Sequence, residues 1–291
     1  MSVRIAIATC PRYPALPPDE RLLVRALAER GVEAVPATWH DPAVRWEAFA
    51  AVIIRSTWDY HERHAEFLGW IGRLESLGVP TWNPPPLLRW NSEKTYLADL
   101  SAAGIPVTPT RFATGDASLE AMLGAERWSE AVVKPAISAT AHETFRVRQG
   151  DAAVFGATWR RLLARGTVLV QPLVREIVEH GEWSLCFPGG AFTHAVLKRA
   201  KPGDFRVQEE WGGSTERRDP PAGAVEAAAR ALRCAPGEWL YARVDGCMVD
   251  GQFQVTELEM LEPTLYLDKE PGAPGRFADA IAAKVTGGDE T

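Results

Sequence analysis

The chain has 291 residues, enough for two or three closely packed lobes rather than one simple core. Hydrophobic residues make up 46% and charged residues 24%, the balance of an ordinary soluble globular protein. A net charge of -6 argues against a grip on a nucleic-acid backbone, and no segment approaches the ~20 apolar residues that cross a bilayer.

Val3–Thr9 reads as a buried strand, and the apolar stretch around it is too short for a signal peptide. Asp19–Arg30 has the period of an amphipathic helix and stops at Gly31. Val32–Ala37 and Ala51–Arg55 are short strands, and His64–Leu77 is a helix ending at Gly78. Together they predict a βαβ-type lobe with a parallel sheet, spanning residues 1–88. Cys10-Pro-Arg-Tyr-Pro stands where a dinucleotide site needs its glycines, so that function is excluded. Arg55, Ser56, Thr57 and Asp59 leave the end of a parallel strand, the usual place for ligand contacts, and are expected to recognise substrate. For Trp58 and Tyr60, core packing is an equal alternative. His61 and His64 read as the start of a surface helix rather than a metal pair.

Asn83-Pro-Pro-Pro-Leu marks a lobe boundary, because consecutive prolines oppose both helix and ladder. A second lobe over 89–167 is expected to hold a helix at Asn91–Ala103, a strand at Ala131–Lys134 and a helix at Ala153–Ala164. A third, over 168–291, opens with a strand at Val168–Gln171. Two strands between Trp183 and Lys198 flank Gly189-Gly190, and Ala222–Arg233 is an alanine-rich helix. Leu240–Asp245 and Phe253–Glu259 form a hairpin around Asp250-Gly251, and a helix follows near Arg276–Lys284. Cys10, Cys186, Cys234 and Cys247 form no Cys-x-x-Cys pair, so reduced thiols in a cytoplasmic protein are expected.

The C-terminal hairpin carries the chemistry. Asp245 precedes Glu257 by twelve residues, and Glu259 follows two later, on the same strand face as Glu257. Parallel carboxylates repel unless a cation compensates, and hard oxygen ligands suit magnesium bound with substrate phosphates. A lone Glu-x-Glu is more often a solvated edge; Arg243 and Asp245 on the adjoining strand favour the metal. Lys198-Arg-Ala-Lys-Pro-Gly-Asp-Phe-Arg206 supplies cations for a transferring phosphate.

These pieces resemble the ATP-grasp superfamily of carboxylate–amine ligases. The run from Lys198 to Arg206, with Gly212-Gly213, is similar to the Arg-Arg-Ala-Lys-x-Gly-Asp-Phe-Arg…Gly-Gly stretch of the ribosomal-protein S6 glutamate ligase branch. Arg55-Ser-Thr-Trp-Asp-Tyr60, Gly181-Glu-Trp-Ser-Leu185 and Glu257-Leu-Glu-Met-Leu-Glu-Pro263 look most like the subgroup of the D-cycloserine-forming cyclo-ligase, which closes O-ureido-D-serine using ATP. The resemblance implies an α/β ATP-grasp fold: a βαβ pre-ATP-grasp lobe, then two lobes sandwiching ATP. Under it Lys94 and Lys134 contact the ATP phosphates and purine edge, helped by Ser138 and Thr140. Gln171, Pro172, Leu173 and Val174 flank adenine, and Glu182 takes the ribose, with Glu176 and Glu179 as rivals. Lys198 and Arg206 hold the γ-phosphate, Arg243 steadies the intermediate, and Asp245, Glu257 and Glu259 bind two Mg2+ ions. Two departures stand out: Glu-x-Glu replaces the usual Glu-x-Asn, and the phosphate-covering loop from Pro135 to Thr144 lacks glycine, which predicts a stiff loop.

The implied function is an ATP-dependent carbon–nitrogen ligase that activates a small-molecule carboxylate as an acyl phosphate. An O-ureido-serine-type cyclo-ligase comes first, an intermolecular amino-acid or peptide ligase second, and a non-catalytic nucleotide-binding protein third. Partners are small molecules, with neither nucleic acid nor membrane, and a homo-oligomer is the default assembly.

Overall fold

A computed structural model describes residues 3–287. The first sheet is parallel, in the order β2-β1-β3-β4, with β1 (Val3–Thr9), β2 (Val32–Thr38), β3 (Val52–Ser56) and β4 (Thr81–Trp82). Helices α1 (Pro18–Ala28) and α2 (His64–Ser76) connect them. Side chains of β1 alternate between two cores. Ile5 and Ile7 meet Leu23 and Leu27 of α1, whereas Ala6 and Ala8 meet a cluster with Trp39, Trp46, Phe67 and Trp70. The small alanines leave room for these rings, which meet at tilted or edge-on angles; Trp46 and Trp70 are 5.2 Å apart. Much of the tryptophan content is thus packing.

The proline run does not block a helix. Pro85 and Pro86 open α3 (Pro85–Asn91), because the first turn has no partner for the missing N–H groups. Of the helix expected over Asn91–Ala103 only α4 (Tyr96–Ala102) forms, and Asn91 instead ends α3. Between them the Lys94 N–H bonds the Ala136 carbonyl at 2.9 Å, taking its backbone out of helical register.

The central sheet is antiparallel, in the order β5-β8-β6-β7. Its strands are β5 (Arg111–Ala113), β6 (Glu130–Pro135), β7 (Phe145–Arg148) and β8 (Val168–Pro172), with α5 (Leu119–Glu126) and α6 (Ala152–Leu163) packed on Val133 and Val170. Placing β8 in the third lobe does not match this sheet, where β8 pairs with both β5 and β6. Nor do α3 and α4 belong to it: Leu97 and Leu100 pack with Leu185, Ala228 and Leu258 of the third lobe.

The third sheet is antiparallel, β11-β10-β9-β12-β13. It contains β9 (Glu182–Pro188), β10 (His194–Arg199), β11 (Ser214–Arg217), β12 (Tyr241–Val249) and β13 (Gln252–Glu259). Short α7 (Arg175–His180) precedes it, and α8 (Ala224–Leu232) and α9 (Ala273–Thr286) complete the lobe. Asp250 and Gly251, with φ of 49° and 77°, form the tight turn between β12 and β13. The outer edge of β13 is covered. Asn91 accepts from the Met260 N–H and donates to the Leu258 carbonyl, both at 2.7 Å, and the Val255 N–H donates to the Pro106 carbonyl at 2.8 Å.

The first and third lobes share one core, where Tyr241, Phe277 and Ile281 join Ile5, Ile7 and Leu27. They form a single block, and the central sheet faces it across a cleft. No helix of the described residues is long and apolar enough to cross a membrane. All four cysteines are free, three of them buried.

Candidate active site

The cleft lies between β6, β8 and the loop after β6 on one side, and β10, β12 and β13 on the other. The hairpin register places Asp245 directly opposite Glu257 and Arg243 opposite Glu259, although among the described residues no three such side chains group closely enough to hold a metal ion together. A bulge between Asp245 and Gly246 makes this local pairing. It needs glycine, since a Cβ at Gly246 would stand 2.5 Å from the Gln254 carbonyl oxygen.

Two chains of ion pairs cross the floor. Lys198 Nζ lies 2.8 Å from both Asp245 Oδ2 and Glu182 Oε2. Arg243 donates through Nε to Asp245 Oδ1 at 2.8 Å and reaches Glu259 Oε1 at 2.8 Å. Lys94 Nζ lies 3.0 Å from Glu257 Oε1 and also donates to the Ser138 carbonyl. Burial opposes the charge on Lys198, but Asp245 and Glu182 hold its pKa well above the ordinary lysine value. Asp245 is likewise held well below the usual carboxylate range, because Arg243 and Lys198 outweigh its burial. Lys134 has no ion-pair partner among the described residues, and burial pushes its pKa down.

The remaining acids are less well compensated. Burial works to raise Glu257, but Lys94 and Lys134 hold it below the ordinary value. Burial pushes Glu259 up to about 8 despite Arg243, and Glu262 up to about 7. This end of the cleft therefore holds more carboxylate than its cations neutralise, which fits a divalent ion. Glu257 and Glu259 each keep an oxygen outside their ion pair and fit as ligands. Asp245 does not offer one in this arrangement: Ser184 and Arg243 occupy Oδ1, and Lys198 and Arg243 occupy Oδ2.

Every residue expected to meet the nucleotide lines the cleft: Lys94, Lys134, Ser138, Thr140, Gln171, Pro172, Leu173, Val174, Glu182, Lys198 and Arg206. Of the three rival acids, only Glu182 does, and Thr256 Oγ1 donates to it at 2.6 Å. Gln171 donates to Thr110 Oγ1 at 2.9 Å, and the Leu173 N–H is occupied by the Glu130 carbonyl. The glycine-free loop adopts left-handed backbone at Thr140, Ala141 and Glu143, with φ between 51° and 54°. Side chains pay for that conformation in strain, and it persists only where surroundings fix it. Here Arg161 of α6 and Arg165, just past its end, bond the Glu143 carboxylate. Across the cleft, the Trp211 indole donates to the Thr140 carbonyl at 3.2 Å, and Arg206 stacks on Trp211 at 3.6 Å.

The substrate expectation fares differently. None of Arg55, Ser56, Thr57 or Asp59 lines the cleft. Arg55 is fully buried and donates Nη2 to Glu20 Oε1 and to the Pro263 carbonyl, both at 2.6 Å, with Tyr241 beneath it. Ser56 and Thr57 are also fully buried, and Asp59 accepts from the Trp39 indole at 2.7 Å. Trp58 and Tyr60 line the cleft instead. Sequence reasoning also missed Asn91, Tyr96 and Glu262 there. Glu262 had a signal, a third acid just beyond Glu-x-Glu, but it falls past the strand, where alternation no longer says which way a residue faces.

Residues 5–83 match the family described as the N-terminal domain of D-cycloserine synthetase DcsG. The cycloserine biosynthesis protein DcsG of Streptomyces lavendulae is 34% identical over 277 residues, 90% of this chain and 92% of that protein. A crystal structure of D-cycloserine synthetase DcsG is similar with a TM-score of 0.87 at 31% identity, covering 97% of this chain and 99% of that one. A RimK domain ATP-grasp protein from Sphaerobacter thermophilus shares the fold, with a TM-score of 0.72 at 23% identity over 96% and 99% of the two chains. With a relative 34% identical along nearly the whole length and the same fold in the solved DcsG structure, this chain belongs to the DcsG family of ATP-grasp ligases.

Proposed function

We propose that this ligase closes an O-ureido-serine-type amino-acid derivative into a ring at the expense of ATP. The observation that carries the reading is the convergence of Lys94, Lys198 and Arg243 with Glu257 and Glu259 in one cleft, in a chain related to DcsG along nearly its whole length.

The nucleotide binds between the central sheet and the block. Gln171 to Val174 flank adenine, Glu182 receives the ribose, and Lys94, Lys134, Lys198 and Arg206 offset phosphate charge. Glu257 and Glu259 would hold Mg2+, which when bound would supply positive charge against the phosphates. The substrate carboxylate attacks the γ-phosphorus in line, and ADP leaves. A nitrogen of the same molecule then attacks the acyl carbon and expels phosphate, while Arg243 steadies the oxyanion. The chain's contribution is positioning and charge stabilisation.

Phosphate release with O-ureido-D-serine alone, and ring product by mass spectrometry, is the expected result. Release that requires a second amino acid instead marks an intermolecular ligase. ATP binding without turnover on any substrate marks a nucleotide-binding protein. Glu257→Gln abolishes turnover while leaving the melting temperature within about 3 °C; unchanged turnover would discredit the metal assignment.

A further inference from the structure

An amino-acid substrate brings two charges into this cleft, and the roles assigned so far address only its carboxylate. The α-ammonium sits on the neighbouring carbon, so whatever receives it must lie beside the acyl-phosphate position. Glu257 and Glu259 are committed to Lys94, Arg243 and the metal. Glu262 is not. It lines the same cleft, is 8% exposed, and its carboxylate has no hydrogen-bond or ion-pair partner among the described residues. A carboxylate this buried and unpaired is costly unless function needs it.

Its backbone is held from three directions. Carbonyls of Glu262, Pro263 and Thr264 accept, in turn, from Trp58 Nε1 at 3.0 Å, Arg55 Nη2 at 2.6 Å and Arg243 Nη1 at 3.0 Å. Trp58 is itself fixed edge-on against Tyr13, with ring centroids 5.0 Å apart. Trp58 and Tyr60 line the cleft with Glu262, and aromatic faces beside a carboxylate attract alkylammonium groups. Resting on the reading above, we propose that Glu262, flanked by Trp58 and Tyr60, is the receptor for the substrate's α-ammonium and makes the enzyme selective for amino acids over hydroxy or deamino acids. The raised pKa of Glu262 is consistent: an arriving ammonium supplies the positive charge that burial denies this carboxylate.

Calorimetric titrations with AMPPNP and Mg2+ present test the assignment. The ligand pairs are O-ureido-D-serine against its deamino analogue, and D-serine against D-glycerate. The parent enzyme is expected to prefer the ammonium-bearing member at least tenfold. Glu262→Gln abolishes that preference, raises KM for the amino substrate at least tenfold, and leaves AMPPNP affinity within twofold. Glu262→Asp, which keeps the charge, restores part of the preference and guards against misreading a folding defect. Three results overturn the assignment: no ammonium preference in the parent for either pair, a preference that survives in Glu262→Gln, or a variant whose only change is a greater Mg2+ requirement. Preference within the serine pair without binding of the ureido compound upholds Glu262 and sinks the ring-closing substrate instead.

Discussion

Replacing Arg55 by methionine separates a structural role from a substrate-binding one. Arg55 and Glu20 form an ion pair with side chains 0% and 2% exposed, bonded through Nε at 2.9 Å and Nη2 at 2.6 Å. Among the described residues Glu20 has no other side-chain partner, and its Oε2 is buried and unbonded. Deleting the guanidinium leaves a buried carboxylate uncompensated, a loss of about 3–5 kcal/mol. At roughly 2–4 °C per kcal/mol for a chain near this size, the melting temperature should drop by about 6–20 °C. The double variant Glu20→Gln with Arg55→Met removes both charges and is expected to regain at least half of the loss. Circular-dichroism melts of the parent, both single variants and the double variant give the coupling directly. A lone Arg55→Met that melts within about 2 °C of the parent while substrate KM rises would falsify this reasoning and return Arg55 to the substrate contact its strand-end position suggests.

Two further outcomes follow from the geometry. A Cβ at Gly213 would stand 2.2 Å from the Val207 carbonyl oxygen, so Gly213→Ala must displace the loop that carries Arg206. Steady-state kinetics should show at least a tenfold loss in kcat/KM for ATP; parental kinetics would mean that the loop does not meet the phosphates. Without nucleotide or metal, Glu259 and Glu262 keep protons that the unfolded chain has already released, so stability falls as pH rises from about 4.5 to about 8. Melting temperatures across that window should decline, less so in Glu262→Gln, and a rise specific to the parent would contradict the site's charge balance.

Much of the block was legible because its strands carry strong local signals. Val3–Thr9 holds an unbroken apolar run over residues 5–8, and Asp250-Gly251 announces its turn. The order of lysines and carboxylates gave the cleft before any contact was known. What stayed hidden depended on distant partners. Nothing near Val168 says that β8 will pair with β5 and β6 rather than with β9. The break at Lys94 depends on the Ala136 carbonyl, some forty residues later in the chain. Arg55 leaves a parallel strand where ligands usually bind, but Tyr241 and the Pro263 carbonyl close over it. The cleft lining passes to half-buried Trp58 and buried Tyr60, whose aromatic character reads equally well as core.

The shared core of the first and third lobes has a consequence for biosynthesis. Helix α9 packs on α1, and Arg30 meets Asp279 at 2.6 Å, so elements far apart in sequence complete one unit. The central sheet, by contrast, is contiguous from β5 to β8 and has its own interior around Leu123, Val133 and Trp159. A ribosome releasing this chain from its N-terminus can let that insert fold early. Leu23 and Leu27 can meet Ile5, Ile7 and Ile53 early, but their core is complete only when Phe277 and Ile281 of α9 join it. Truncation within α9 should accordingly expose the opening βαβ unit rather than merely shorten the tail.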